Sequence, residues 1–133
     1  MHYSAKGQSQ LAGVSFRCNA NGTGCSSEIS GNVEGSFSLA PGAGSCLISP
    51  ALNVLRQYTV DSNGLVNEGM YDPDIGRWRA PKPIATEAKA HKASPIVADM
   101  VNGEIWLFWF DEQKRLQTST SVWTSATWTQ GKL

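Results

Sequence analysis

Arg56 and Glu68 are the two side chains whose types and spacing best suit a polar ligand. A guanidinium offers a planar fork of donors and a carboxylate offers acceptors. Charged partners also make stronger hydrogen bonds than neutral ones. Both lie in residues 55–78, LRQYTVDSNGLVNEGMYDPDIGRW. There, two runs of strand-forming residues flank Asp61-Ser62-Asn63-Gly64, and Asn-Gly is a strong hairpin signal. The cation and the carboxylate therefore fall on neighbouring strands of one hairpin. An ordinary cross-strand ion pair has the same spacing. A ligand site needs an apolar wall as well, for which the chain offers Tyr71, Trp78, Trp123 and Trp128.

Other chemistries find less support. His2 and His91 have no cysteine, histidine or carboxylate at metal-ligand spacing, so no metal site is expected. Asp72 and Asp74 share a loop with Pro73, a poor calcium site. Residues 72–78 are similar to the Asp-box turn of sialidase propellers, but they lack its leading serine and are one residue short before the tryptophan. A plain turn fits better. No nucleophile elbow or phosphate loop occurs, so neither catalysis nor a cofactor is expected.

The bulk properties agree with a neutral ligand. Eleven basic residues balance eleven acidic ones in 133 residues, and no basic block gives nucleic acid an electrostatic footprint. The chain is 41% apolar, enough for a modest core. No apolar run reaches membrane-spanning length. The start, Met1-His2-Tyr3-Ser4-Ala5-Lys6, is not a signal peptide, which leaves a cytoplasmic chain or one secreted without a visible signal. Cys18 and Cys25 bracket a turn-rich loop and fit either a disulfide clip or two reduced thiols, whereas Cys46 reads as a buried small hydrophobe.

The elements that must position Arg56 and Glu68 read as all-β. Short apolar runs punctuated by Gly, Asn, Asp, Ser and Pro place strands at 46–49, 54–60, 65–71 and 78–80, then at 96–100, 104–110, 116–121 and 127–130. Residues 86–92, between Pro83 and Pro95, read as a connecting loop. The two groups of four superpose at an offset of fifty. Tyr58 falls on Phe108, Asp61 on Asp111, Val66 on Leu116 and Trp78 on Trp128, while Cys46-Leu47-Ile48 falls on Ile96-Val97-Ala98. A repeat near fifty residues with four strands each predicts β-propeller blades of four antiparallel strands. The boundaries are 45–83 and 84–133, with 1–44 a degenerate partial blade or an extension. Such a ring is incomplete in one chain, so a homo-oligomer is expected to complete it. Both faces of 104–110 are apolar, which predicts a strand packed between two sheets.

The series Ser94–Ala98 (SPIVA), Ile105–Trp109 (IWLFW), Arg115–Gln117 (RLQ) and Trp128–Gly131 (WTQG) resembles blades of the fungal and bacterial fucose-binding lectins. The likeness is closest at 55–78 and covers roughly 45–133. It implies a sugar pocket between adjacent blades, with Arg56 and Glu68 hydrogen-bonding ring hydroxyls and with Trp128 and Trp123 of the following blade packing on the apolar face of the sugar. Tyr71 and Trp78 take the secondary aromatic positions, facing a neighbour without the ion pair. The arginine and glutamate positions are Trp106 and Thr118 in the last copy, and Met1 and Gly13 in the first, so at most one such pocket survives per chain. The expected function is a non-catalytic lectin for a fucosylated glycan or similar saccharide. The alternatives are an interaction module with decayed sites and a fragment of a propeller glycosidase, for which Glu68 with Asp72 is the only carboxylate pair on offer.

Overall fold

The computed structural model describes residues 2–4, 11–17 and 26–32 by their backbone, and residues 40–84 and 86–131 with side chains. All regular structure among the described residues is β-strand, in three antiparallel sheets. The first joins β1 (His2–Ser4), β2 (Leu11–Arg17) and β3 (Ser26–Asn32). Cys18 and Cys25 lie outside the described residues.

The second sheet is a meander of β4 (Ser45–Ala51), β5 (Val54–Val60) and β6 (Val66–Asp72). Its fourth position is split between β7 (Arg77–Trp78) and β8 (Lys82–Pro83), which pair with β6 one after the other. Pro83 sits on this outer edge, where a missing N–H costs no ladder bond. The third sheet repeats the meander with β9 (Ile96–Val101), β10 (Glu104–Phe110), β11 (Leu116–Val122) and β12 (Thr129–Gly131). No closed ring of sheets occurs among the described residues.

The repeat extends to single atoms. In the β5–β6 turn, Asp61 Oδ1 accepts from the N–H groups of Asn63 and Leu65, and Oδ2 accepts from the Asn67 amide. In the β10–β11 turn, Asp111 Oδ1 accepts from Gln113 and Arg115, and Oδ2 accepts from the Gln117 amide. Each aspartate ties down a turn whose backbone would otherwise be left partly unpaired. The left-handed residue is Gly64 in one turn and Lys114 in the other.

The first strand of each repeat departs from the expected alignment. Cys46 pairs with Tyr58, whereas Phe108, fifty residues on from Tyr58, pairs with Val97. β4 and β9 therefore correspond at an offset of fifty-one, and Cys46 matches Val97 rather than Ile96. Because side chains alternate, this one-residue slip moves residues 45–48 to the face opposite the expected one, while Ala51, which pairs with Val54 as Val101 pairs with Glu104, keeps the offset of fifty. The extra residue is a bulge in β4 between Ile48 and Ala51, whereas the linkers match at fifty-one, Ala43 N–H donating to Ala40 O as Ser94 N–H donates to His91 O.

Between the second and third sheets lies the core. Tyr58, Val60 and Val66 pack there with Ile96, Ile105, Leu107 and Trp109. Cys46 faces the same layer, its Sγ accepting from Ala98 N–H at 3.2 Å, and burial pushes its thiol up. Only one face of β10 is enclosed. Ile105, Leu107 and Trp109 are buried, but Phe110 on the opposite face is exposed, so β10 is not packed on both sides. Residues 86–92 form no helix; Ala90 bridges to Asp111.

Candidate functional site

β5 and β6 place Arg56 and Glu68 one rung apart. Arg56 stands opposite Met70, and Tyr58 stands opposite Glu68. Period-two alternation sends Arg56, Tyr58, Glu68 and Met70 to one face of the sheet, the face that meets the third sheet. Arg56 Nη1 lies 3.0 Å from Glu68 Oε1, and the two side chains are only 10% and 12% exposed. Tyr58 Oη donates to the same Oε1 at 3.0 Å. The phenol is held well above its ordinary pKa, first by burial and then by the Glu68 charge and hydrogen bond.

The third sheet closes over this group. Arg56 Nη2 donates to the Trp123 carbonyl at 2.8 Å, and the Trp123 ring packs partly buried against the inter-sheet core. Trp128 meets Tyr58 edge to face, with ring centroids 5.8 Å apart and planes at 83°. The structure thus brings Arg56, Glu68, Trp123 and Trp128 together across two sheets. Tyr58 and Met70 join them. Neither was singled out in the sequence, although both stand at even spacing from Arg56 and Glu68. Arg56 Nε is buried without a hydrogen-bond partner, a costly state for a charged donor.

Tyr71 and Trp78 lie elsewhere. They pair across β6 and β7, edge to face at 5.7 Å. Tyr71 follows Met70 on the strand and so points to the opposite face of the sheet from the ion pair. Asp72 is also committed, receiving Arg79 Nε at 2.9 Å and Nη2 at 2.6 Å. These bonds come first, and burial opposes them; the net effect holds the Asp72 carboxyl below its ordinary range. In the third sheet the positions matching Arg56, Tyr58 and Glu68 are Trp106, Phe108 and Thr118, which carry no charge. No group of three or more metal-ligating side chains occurs among the described residues. No family model, curated protein or solved structure matches the chain.

Proposed function

We propose that the chain is a non-catalytic carbohydrate-binding protein whose second and third sheets stack as two neighbouring propeller blades do. The ligand is a fucose-like sugar held where Arg56 and Glu68 meet the indoles of the next sheet. The observation that carries this reading is the juxtaposition of a buried guanidinium–carboxylate pair with Trp123 and Trp128 across a sheet boundary. A sugar presents adjacent hydroxyls that match a charged donor beside a charged acceptor. Its C–H face or a deoxy methyl packs on an aromatic ring. Arg56 Nε, a donor with no acceptor, is the group a sugar hydroxyl would satisfy.

Calorimetric titration with L-fucose, backed by a glycan array, tests the proposal. Saturable binding that is lost in Arg56→Ala and weakened in Trp128→Ala is expected. No binding to any saccharide, with Arg56→Ala indistinguishable from wild type, overturns it.

One observation favours a second reading. Arg56 and Glu68 already bond each other, and Tyr58 and the Trp123 carbonyl hold them further, so that Arg56 Nε alone of the pair's buried atoms goes unmet. A pair held from both sheets also suits a clasp between them, in an interaction module with a decayed sugar site. A glycosidase fragment has less behind it. Both glycosidase classes need two free carboxyl groups across the scissile bond, and Asp72 is engaged by Arg79. Reducing sugar released by the wild type and not by Glu68→Gln would reverse that judgement.

A further inference from the structure

β5 and β10 are the same strand in two copies of the repeat, yet their matching faces differ in cover. Arg56, Tyr58 and Val60 are enclosed by the third sheet. The corresponding Trp106, Phe108 and Phe110 lie on the outer face of that sheet, with Trp106 and Phe108 stacked at 6.4 Å. Phe110 is 40% exposed, and its cross-strand partner Leu116 is 46% exposed. Val97, opposite Phe108 on β9, is 56% exposed. An open apolar face across three strands marks an interaction surface.

Another sheet of the same repeat cannot cover this face in the manner seen inside the chain. There, the linker before β9 seats on the second sheet through two glycines. Ala90 N–H donates to Gly64 O, and Gly44 N–H donates to Ser94 O. A Cβ at Gly64 would lie 2.7 Å from Ala90 O, and one at Gly44 would lie 2.9 Å from Pro95 Cα. On the third sheet the matching positions are Lys114 and Pro95. Lys114 has the Cβ that the close approach forbids, and Pro95 has no N–H to donate. Continued head-to-tail stacking, which runs on as an open filament unless it closes, is blocked at its linker seat.

We propose that a second copy of this chain covers the face, related by a two-fold axis that runs across the strands, so that β10 lies antiparallel on the partner's β10. Charge selects this orientation. Glu104 and Asp99 stand at one end of the face. Lys114 stands at the other end, where it lines with Phe110, His91 and Pro95 a shallow groove of about 320 Å³. An axis across the strands sets each acidic end on the partner's Lys114, whereas an axis along the strands sets like charges together. Closed two-fold pairing is also the commonest form of self-association. The assembly is a face-to-face dimer rather than the ring-completing oligomer expected from the sequence, and it does not depend on the sugar-binding reading.

Sedimentation velocity and light scattering of the full chain test this. A dimer is expected at micromolar concentration. Leu116→Lys with Val97→Lys should weaken it at least ~tenfold while leaving the circular dichroism spectrum unchanged. Glu104→Lys alone and Lys114→Glu alone should each weaken the dimer, and the two together should restore it, because under the two-fold axis the swapped charges face each other again. A monomer at every concentration overturns the proposal. So does a mass of three or more copies, a dimer indifferent to Leu116→Lys and Val97→Lys, or a charge-swapped double variant no better than the singles.

Discussion

Arg56 and Glu68 are diagonal neighbours on β5 and β6, with Nη1 3.0 Å from Oε1, and both are about nine-tenths buried. Diagonal cross-strand partners are within reach of long side chains. At this depth each ion depends on the other, because water no longer solvates either well.

Removing one partner should therefore cost more than removing both. Arg56→Met or Glu68→Gln alone should lower the unfolding free energy by about 3 kcal/mol, because each strands the opposite group. Arg56→Met with Glu68→Gln should be less destabilised than either single, and so far below their sum. Urea unfolding of the four proteins, read as a double-mutant cycle, checks this. Additive losses would mean that the two charges are not coupled in solution.

Asp111 should make the fold acid-sensitive. Burial pushes its carboxyl up, but the Arg115 N–H, the Arg115 guanidinium and the Gln117 amide together more than offset that and hold it below the ordinary range. Asp72 is lowered by Arg79. A carboxyl whose folded pKa lies below its unfolded value adds stability above the unfolded value, and that stability is lost as pH falls through the folded one. Thermal midpoints should be flat near neutrality and fall below about pH 4. Asp111→Asn should unfold at a lower temperature at pH 7 and lose less on acidification. Parallel curves for the two proteins would count against Asp111.

Tyr58 should give the opposite signature at high pH. Its folded phenol is raised by burial and by Glu68, so its contribution is complete below the unfolded tyrosine value and disappears as pH rises beyond it. Tyrosinate absorbance, read as the difference between the wild type and Tyr58→Phe, should show Tyr58 untitrated until the chain unfolds, and stability should decline above about pH 10. A Tyr58 that ionises in the folded protein near the ordinary tyrosine value would contradict the bond to Glu68.

The site was legible where local rules fix it. Asn63-Gly64 set the β5–β6 turn, and the repeat put Asp111 and Trp128 fifty residues beyond Asp61 and Trp78. Placing Trp128 beside Arg56 and Glu68 rests on the resemblance to lectin blades, and its contact with Tyr58 is set by packing between the sheets. What escaped depended on packing between elements. One extra residue, bulged from β4 between Ile48 and Ala51, shifts β4 against β9, and no strand propensity encodes it. The Trp106–Phe110 face has the apolar composition of an enclosed strand, but whether a partner covers it is set by distant residues. Pro83 hid β8, because a two-residue strand that ends in a proline looks like loop. Met70 and Tyr58 gave no signal as site residues, since an ordinary core uses the same types.

The seat of the linker on the second sheet gives the sharpest stability ranking. Gly64 has φ +76° and Gly103 has φ +83°, so alanine carries a left-handed strain at either position. That strain alone is worth about 1 kcal/mol. Only at Gly64 does the new Cβ also meet backbone, at 2.7 Å from Ala90 O, while nothing lies within 4 Å at Gly103. Relief at Gly64 requires the linker to move off the sheet, breaking the Ala90 N–H bond to Gly64 O. Gly64→Ala should thus cost about 2–3 kcal/mol and Gly103→Ala about 1 kcal/mol in urea unfolding. Lys114→Gly, the same turn position without a linker seated on it, should change stability by under ~1 kcal/mol, because the left-handed strain it relieves is offset by the freer unfolded chain. If Gly64→Ala and Gly103→Ala lose the same amount, the linker does not rest on Gly64, and the glycine-to-lysine exchange at position 114 loses its meaning as a stop to further stacking.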